Sequence, residues 1–508
     1  MTREIRELAP ALWLGGLATF LHLLTAADGW DLFRDELYYV ANSRHLGFGY
    51  VDHPPMIGWL TWTARALFGD SQFALRLLPA LAAGATVFTV SRIAATLGGG
   101  LWSQLLAGAA TTFAPAYISG FGYLSMNSFD VLFWALCGGC FVKLLETRDL
   151  RWWVPFGVLA GLALENKLSP LFLGFGVIVG LLVTRDWAHF ASRWLWLGGA
   201  LCALLFAPHL LWQAANGWPT VEFISNATQY KNLPVSPLGF LAAQGRGMGW
   251  PAAAVALCGL AFLLVGRQSR PFRAIGWAPV AILAFLILQR AKPYYFAPAW
   301  CLLFAAGGMA IGHWAAIGRW RWIRPLLLAL LVSFGLLAAP LAKPLLDVET
   351  TVSYMRTLGV EPGTDERKEV GRLGQGYADR LGWRELAEAV AAVHRALPTE
   401  DQQRACVFGQ NYGQAGAIDY YGPRLGLPPA LSGHNSYWLW GPGRCSGDVV
   451  IVIDGDRDEL ETQFEKAEHA ATYRCADCMP YEREKEIWVA RRLRHPIEQA
   501  WPAVKHYD

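Results

Sequence analysis

Apolar residues fill the first two thirds of the chain in runs long enough to cross a hydrocarbon core of roughly 30 Å. The runs predict eleven membrane-spanning helices, at 10–27, 73–96, 101–117, 129–145, 153–166, 169–184, 194–213, 250–266, 276–290, 294–314 and 323–341. The first run has no small-x-small cleavage pattern before the acidic stretch that follows, so it reads as a retained span and not as a removable signal. After Lys343 the runs shorten and the charges rise. There Asp379–Leu397 has the period of a surface helix. Cys406–Gln410 and Asp448–Asp454 read as buried strands, Glu461–His469 as a helix and Glu486–Arg492 as a last strand. The expected fold class is a polytopic α-helical membrane protein with a C-terminal soluble α/β domain. The expected boundaries are 1–342 for the membrane domain, with a first outer loop at 28–71, and 343–508 for the soluble one.

That first loop interrupts the apolar pattern most sharply. It carries Asp31, Asp35, Glu36 and Asp52 with His53, paired prolines and many aromatic residues. Asp35–His45 and Pro55–Phe68 have the pattern of two amphipathic helices at the interface, their Trp and Tyr rings at headgroup depth. Between them Asp52-His53-Pro54-Pro55 cannot be helical before its prolines, which predicts a rigid hairpin presenting Asp52 and His53 beside Asp35.

Composition agrees with the membrane class: 54% of residues are apolar and only 16% charged. A formal charge of +3, with no dense basic run, gives no support for a nucleic-acid partner. The placement of the cations says more. With the N-terminus cytoplasmic, Arg3, Arg6, Arg92, Lys143, Arg148, Arg151, Arg185, Arg193, Arg267, Arg270, Arg273, Arg319, Arg321 and Arg324 gather on one face, as cytoplasmic loops prefer. The acidic loop and the C-terminal domain then lie outside the plasma (inner) membrane. Four of the nine cysteines, Cys406, Cys445, Cys475 and Cys478, fall in the C-terminal domain. In an oxidising compartment they fit two disulfides, in any of three pairings, with a zinc site as the lesser alternative.

Candidate chemistry sits at the outer helix ends. Asp130 opens the fourth span, where an acid is either a favourable helix cap or a functional group at the membrane edge. Lys167, in Glu165-Asn166-Lys167, and the run Arg290-Ala291-Lys292-Pro293-Tyr294-Tyr295 put cations and tyrosines on the outer face. One such site is explained by interfacial anchoring; two, against the charge asymmetry, suggest a bound phosphate. The loop at 213–249 could cover the site. The C-terminal stretches 409–422 and 432–443, rich in Gly, Tyr, Trp and Asn, suit sugar contact or turn packing. No P-loop or dinucleotide-binding glycine pattern is present. Acids, outer cations and aromatics together fit transfer of a group from a phosphate-activated lipid: the cations accept charge developing on the phosphate, and a carboxylate takes the acceptor's proton.

These motifs, Asp35-Glu36-Leu37-Tyr38-Tyr39, Gly49-Tyr50-Val51-Asp52-His53-Pro54-Pro55, Asp130, Lys167 and Lys292-Pro293-Tyr294-Tyr295, resemble those of the GT-C membrane glycosyltransferases. Within that group they resemble the branch of protein O-mannosyltransferases, lipid A aminoarabinose transferases and rhizobial lipopolysaccharide glycosyltransferases. The resemblance implies catalytic roles for Asp35, as the base, for Glu36 beside it and for Asp130 as a second membrane-edge acid. It further implies that Asp52, His53, Lys167, Arg290, Lys292, Tyr294 and Tyr295 contact substrate. The implied donor is a polyprenyl-phosphate-linked sugar, the acceptor a glycan, lipid or protein hydroxyl, and the reaction an inverting displacement that is largely metal-independent. One departure is that His53 and Asp52 stand where the aminoarabinose branch has lysine and glutamate. A divalent metal near Asp52 and His53 remains open on sequence grounds. The competing class is a transporter or flippase of lipid-linked sugars, which would place charges near the bilayer midplane and often shows internal repeats.

Overall fold

The computed structural model describes residues 3–27, 29–316 and 318–508. Asp28, at the start of the predicted outer loop, and the side chains of Arg3 and Arg6 lie outside the described residues. The chain divides into two compact units. One comprises Met1–Asp28, Leu67–Leu211 and Pro234–Leu345; the other comprises Gly29–Ala66, Trp212–Leu233 and Leu346–Asp508.

The first unit is helical, and each of the eleven predicted spans contains a helix. Among the described residues, six helices are long and apolar enough to cross a membrane: Gln72–Thr96, Met126–Thr147, Arg193–Ala215, Arg270–Leu288, Pro293–Trp314 and Gly318–Ala342. A seventh span is reached if Pro237–Met248 and Trp250–Val265, bent by 112°, count as one. The architecture is that of a multi-pass membrane protein. The shortfall from eleven has a local cause at the third predicted run. Ala114 precedes Pro115 and is extended (ψ 124°), so that helix stops at Phe113 and a second, short one runs Pro115–Gly120. The helix Trp153–Asn166 has only 14 residues, about 21 Å at 1.5 Å per residue.

Close helix contact in this unit relies on small residues, as expected where lipid supplies no hydrophobic drive between helices. A Cβ on Gly157 would lie 2.1 Å from the Gly198 carbonyl oxygen, which ties Trp153–Asn166 to Arg193–Ala215. At Cys137-Gly138-Gly139-Cys140, Gly138 faces Leu302 at a distance no Cβ could share.

The second unit contains a five-stranded sheet: β1 (Ala405–Gly409), β2 (Ala430–Leu431), β3 (Val449–Ile453), β4 (Phe464–Arg474) and β5 (Glu484–Leu493), in the order β2-β1-β3-β5-β4. The first three strands are parallel and the last two antiparallel, with Val407 opposite Ile451 and Ile451 opposite Val489. Val450, Val452, Leu460, Phe464, Trp488 and Ala490 form one core of this unit. The helix predicted at 461–469 is corrected here. A short helix, Arg457–Gln463, ends at the buried Phe464, and β4 then pairs along β5 from Phe464 opposite Leu493 to Arg474 opposite Glu484. Glu, Lys and Ala in this segment favour helix locally, but pairing with β5 overrides that weak preference. The cysteines pair Cys406–Cys445 and Cys475–Cys478.

The acidic loop forms the two predicted helices, Arg34–Asn42 and Met56–Phe68. Within this unit Arg34–Asn42 packs on the helix Tyr412–Tyr421, which follows β1. Asn411 caps the latter, its side chain accepting the Gly413 and Gln414 N–H groups at 2.9 and 3.0 Å.

Candidate active site

Asp35 stands in the first turn of Arg34–Asn42, where the helix dipole favours an acid. The Tyr412 hydroxyl donates to its Oδ1 at 2.9 Å. Its second oxygen has no hydrogen-bond partner among the described residues. Burial pushes the Asp35 carboxyl above the usual carboxylate range; the charge of Arg34, the Tyr412 hydroxyl and Lys231 pull it back. Such a carboxylate is a better proton acceptor than a solvated one.

A charged and aromatic frame holds this acid. The Arg34 guanidinium lies over the Tyr412 ring, 5.1 Å from its centroid. It donates to the Tyr481 hydroxyl at 2.6 Å and approaches Asp379 at 3.8 Å and Glu366 at 4.0 Å. Lys231 meets Glu366 at 3.8 Å. Tyr481 in turn donates to Asp379 Oδ1 at 3.1 Å. Two cations and two further acids thus offset one another around Asp35.

Glu36, adjacent in sequence, does different work. It is fully buried, its carboxylate accepts the Phe33 N–H at 2.9 Å, and Arg380 lies 4.0 Å away. Asp52 is partly exposed and accepts the Tyr38 hydroxyl at 2.9 Å. His53 is buried at 1% exposure, with both ring nitrogens engaged: Nε2 with the Asn42 amide at 2.9 Å, Nδ1 with the Pro54 carbonyl at 2.8 Å. Asp52 Oδ1 lies 3.9 Å from the same Nε2. Tyr38, Tyr39 and Tyr50 surround the ring. His53 therefore stiffens the hairpin between the two loop helices.

The first unit holds the other candidates. Asp130 lies in Met126–Thr147 at 2% exposure, its Oδ1 accepting the Ser169 hydroxyl and its Oδ2 3.7 Å from the Lys167 ammonium. Ser169 also accepts the Trp134 indole N–H at 3.1 Å. Lys167 follows the last turn of Trp153–Asn166 and donates to Asn127 Oδ1 at 2.6 Å. Its ammonium lies 5.1 and 5.3 Å from the ring centroids of Tyr294 and Tyr295, within reach of a cation–π attraction. The two rings are mutually perpendicular, on the 3-10 segment Pro293–Ala299 that Lys292 opens. Four residues far apart in sequence, Asp130, Lys167, Tyr294 and Tyr295, are thus brought together. Arg290 is exposed, with a positive φ of 52° at the turn after Arg273–Leu288, and among the described residues its side chain makes no hydrogen bond or ion pair with this group.

Sequence reasoning missed Tyr412, Arg34, Asp379 and Glu366 in the first group and Asn127 and Ser169 in the second. Arg34 precedes Asp35 directly and was open to notice. Tyr412 was visible only as one residue of an aromatic Gly-rich stretch. Among the described residues one trio of metal-binding type stands together, His434, His506 and Asp508. The Tyr412 N–H points at His434 Nδ1 at 3.4 Å, and His434 Nε2 lies 3.0 Å from the Asp508 carbonyl.

Residues 52–212 match the family model described as dolichyl-phosphate-mannose-protein mannosyltransferase. No curated protein sequence matches the chain. Among solved structures, the fold is similar to ArnT from Cupriavidus metallidurans bound to undecaprenyl phosphate. That likeness has a TM-score of 0.64 at 17% identity and covers 94% of this chain and 97% of that one. The apo state of the same protein matches with a TM-score of 0.62 at 16% identity over the same shares. The chain thus has the fold of that protein over nearly its whole length, in keeping with the resemblance to GT-C membrane glycosyltransferases read from the motifs.

Proposed function

We propose that this chain transfers a sugar from a polyprenyl phosphate to a hydroxyl of a glycan, lipid or protein acceptor, by one inverting displacement at the outer face of the plasma membrane. The N-terminus is cytoplasmic in this reading, and residues 343–508 are extracytoplasmic. The observation that carries it is the state of Asp35: a carboxylate raised by burial, steadied at one oxygen by Tyr412, with the other oxygen open to a proton. The likeness in fold to a protein bound to undecaprenyl phosphate supports the donor class.

In the reaction, Asp35 takes the proton of the acceptor hydroxyl. The hydroxyl oxygen attacks the anomeric carbon opposite the phosphate, and the carbon–oxygen bond to the phosphate breaks with its electron pair. The leaving phosphate then needs positive charge. That role falls to Lys167, with Arg290 and Lys292 contributing field. Asp130 acts through Lys167, holding the ammonium between Asn127 and the tyrosine faces. Tyr294 and Tyr295 give the sugar or the polyprenyl chain an aromatic wall, and Asp52 bonds sugar hydroxyls. Glu36 shapes the turn before Asp35.

The test uses the purified chain in proteoliposomes with a panel of polyprenyl-phosphate sugars and envelope acceptors. Mass spectrometry should find free polyprenyl phosphate together with an acceptor heavier by one sugar residue. Movement of intact donor between leaflets without such a product would make the chain a flippase.

A further inference from the structure

The hairpin acid Asp52 is like Asp35 in one respect: only one of its oxygens is engaged. Its Oδ1 accepts the Tyr38 hydroxyl at 2.9 Å, and its Oδ2 has no hydrogen-bond partner among the described residues. The side chain is 16% exposed. Tyr38 is buried, and burial, with the Asp52 charge next, raises the pKa of its phenol, so the group stays protonated. A phenol has one proton, and a carboxylate accepts it more strongly than a serine oxygen does. The 2.7 Å contact between the Tyr38 and Ser436 hydroxyls therefore carries the serine proton, directed at Tyr38. The Ser436 N–H donates to the same phenol oxygen at 3.2 Å. With its proton committed to Tyr38, the Ser436 oxygen accepts the Val51 N–H at 3.1 Å. The buried Ser436 thus holds Asp52 twice, through the phenol at its carboxylate and through the backbone of the residue before it.

A turn built against local preference keeps the serine there. The Tyr437 N–H closes it on the His434 carbonyl at 3.2 Å, and Asn435 at its first corner has φ 48° and ψ −131°, a conformation that favours glycine. Hydrogen bonds to the segment around His506 maintain that shape. The Asn435 N–H donates to the His506 carbonyl, and the His506 N–H to the Gly433 carbonyl, both at 3.0 Å. His434, at the other end of the turn, faces the Tyr412 N–H with its Nδ1, and Tyr412 holds Asp35. The Tyr38 and Tyr412 rings lie 4.8 Å apart between centroids. One turn thus supports both half-engaged acids.

We propose that Ser436 is a positioning residue for the donor sugar, fixing the open oxygen of Asp52 through Tyr38 and Val51 so that the sugar is bound at a set place beside Asp35. The inference rests on the reading of the chain as a sugar transferase and adds to it how the sugar is recognised. The chain of hydrogen bonds from Ser436 through Tyr38 to Asp52 polarises each member. A carboxylate held at one oxygen presents the other in a defined direction, which a displacement between two bound groups requires.

The test compares two lipids on the full chain in nanodiscs by native mass spectrometry. One is the polyprenyl-phosphate sugar of the panel that the wild type transfers; the other is bare polyprenyl phosphate. Only the first has a sugar, so the ratio of their retention isolates the sugar contact. Ser436→Ala and Tyr38→Phe should each lower that ratio about tenfold, the size of one charge-assisted hydrogen bond, with retention of the bare lipid as in the wild type. Added to Asp52→Ala, either change should lower the ratio no further, because its route to the sugar is already cut. Tyr38→Phe keeps the shape of the ring and carries the test alone if Ser436→Ala does not fold. An unchanged ratio in Tyr38→Phe, equal loss of both lipids, or a penalty that adds to that of Asp52→Ala would each overturn the inference and leave the transferase reading standing. Absence of transfer by the wild type from every donor of the panel would instead sink that reading, and the inference with it.

Discussion

Asp35 and Asp130 are both acids near a helix start, the first half-buried and the second buried, yet their surroundings assign them different work. Asp130 has both oxygens engaged, one by the Ser169 hydroxyl and the other by the Lys167 ammonium. Asp35 has one oxygen engaged by Tyr412 and the other without a hydrogen-bond partner among the described residues. A fully engaged carboxylate is a fixture that sets where a cation stands. A half-engaged one, held above its usual pKa, is able to receive a proton. Candidate acids are therefore better sorted by counting what each oxygen accepts than by sequence position.

The contrast is sharpest in Asp35→Asn. Removing a general base lowers transfer by about 100- to 10,000-fold, and steady-state assay should show this with thermal stability close to wild type. Asp130→Asn should behave in the opposite proportion. Lys167 loses its ionic partner in a buried setting, which costs about 3–5 kcal/mol of stability. Thermal or denaturant unfolding in detergent would read that loss, and transfer should fall less than in Asp35→Asn.

Tyr412→Phe probes the half-engaged state. The hydroxyl favours the charged carboxylate, so its loss raises the Asp35 pKa further. The base works deprotonated, so the acid limb of the pH–rate profile should move to higher pH. The rate on the alkaline plateau should change only a few-fold, in line with one hydrogen bond of about 1 kcal/mol. A profile that keeps its acid limb in place would break the link between Tyr412 and the base. The smallest effect on transfer is expected from Glu36→Gln. The amide still accepts the Phe33 N–H but no longer pairs with the buried Arg380, costing about 3–5 kcal/mol in stability and leaving the transfer rate constant near wild type.

Hydropathy made the helical unit legible because a lipid environment demands long apolar runs, and these leave a plain trace. The loop helices were legible for a related reason, since the prolines at 54 and 55 divide two amphipathic patterns. Strand β4 was not, because an exposed strand rich in Glu, Lys and Ala is specified by its partner β5. At the site, Asp35, Lys167, Tyr294 and Tyr295 stood out as charges and rings where the apolar pattern breaks. Their supports did not. Tyr412 reaches Asp35 across 377 positions, and no local period marks such a pair. The contacts of His53 were equally hidden: its residue type marks it as a polar candidate, and only the fold shows its ring nitrogens against Asn42 and the Pro54 carbonyl.

Single-turnover transfer by Asp35→Asn, with labelled polyprenyl-phosphate sugar already bound, tests the central claim most directly because binding is separated from chemistry. The account predicts donor retained at wild-type occupancy and no labelled acceptor formed on the wild-type timescale. Labelled acceptor appearing at the wild-type rate would show that another group takes the proton.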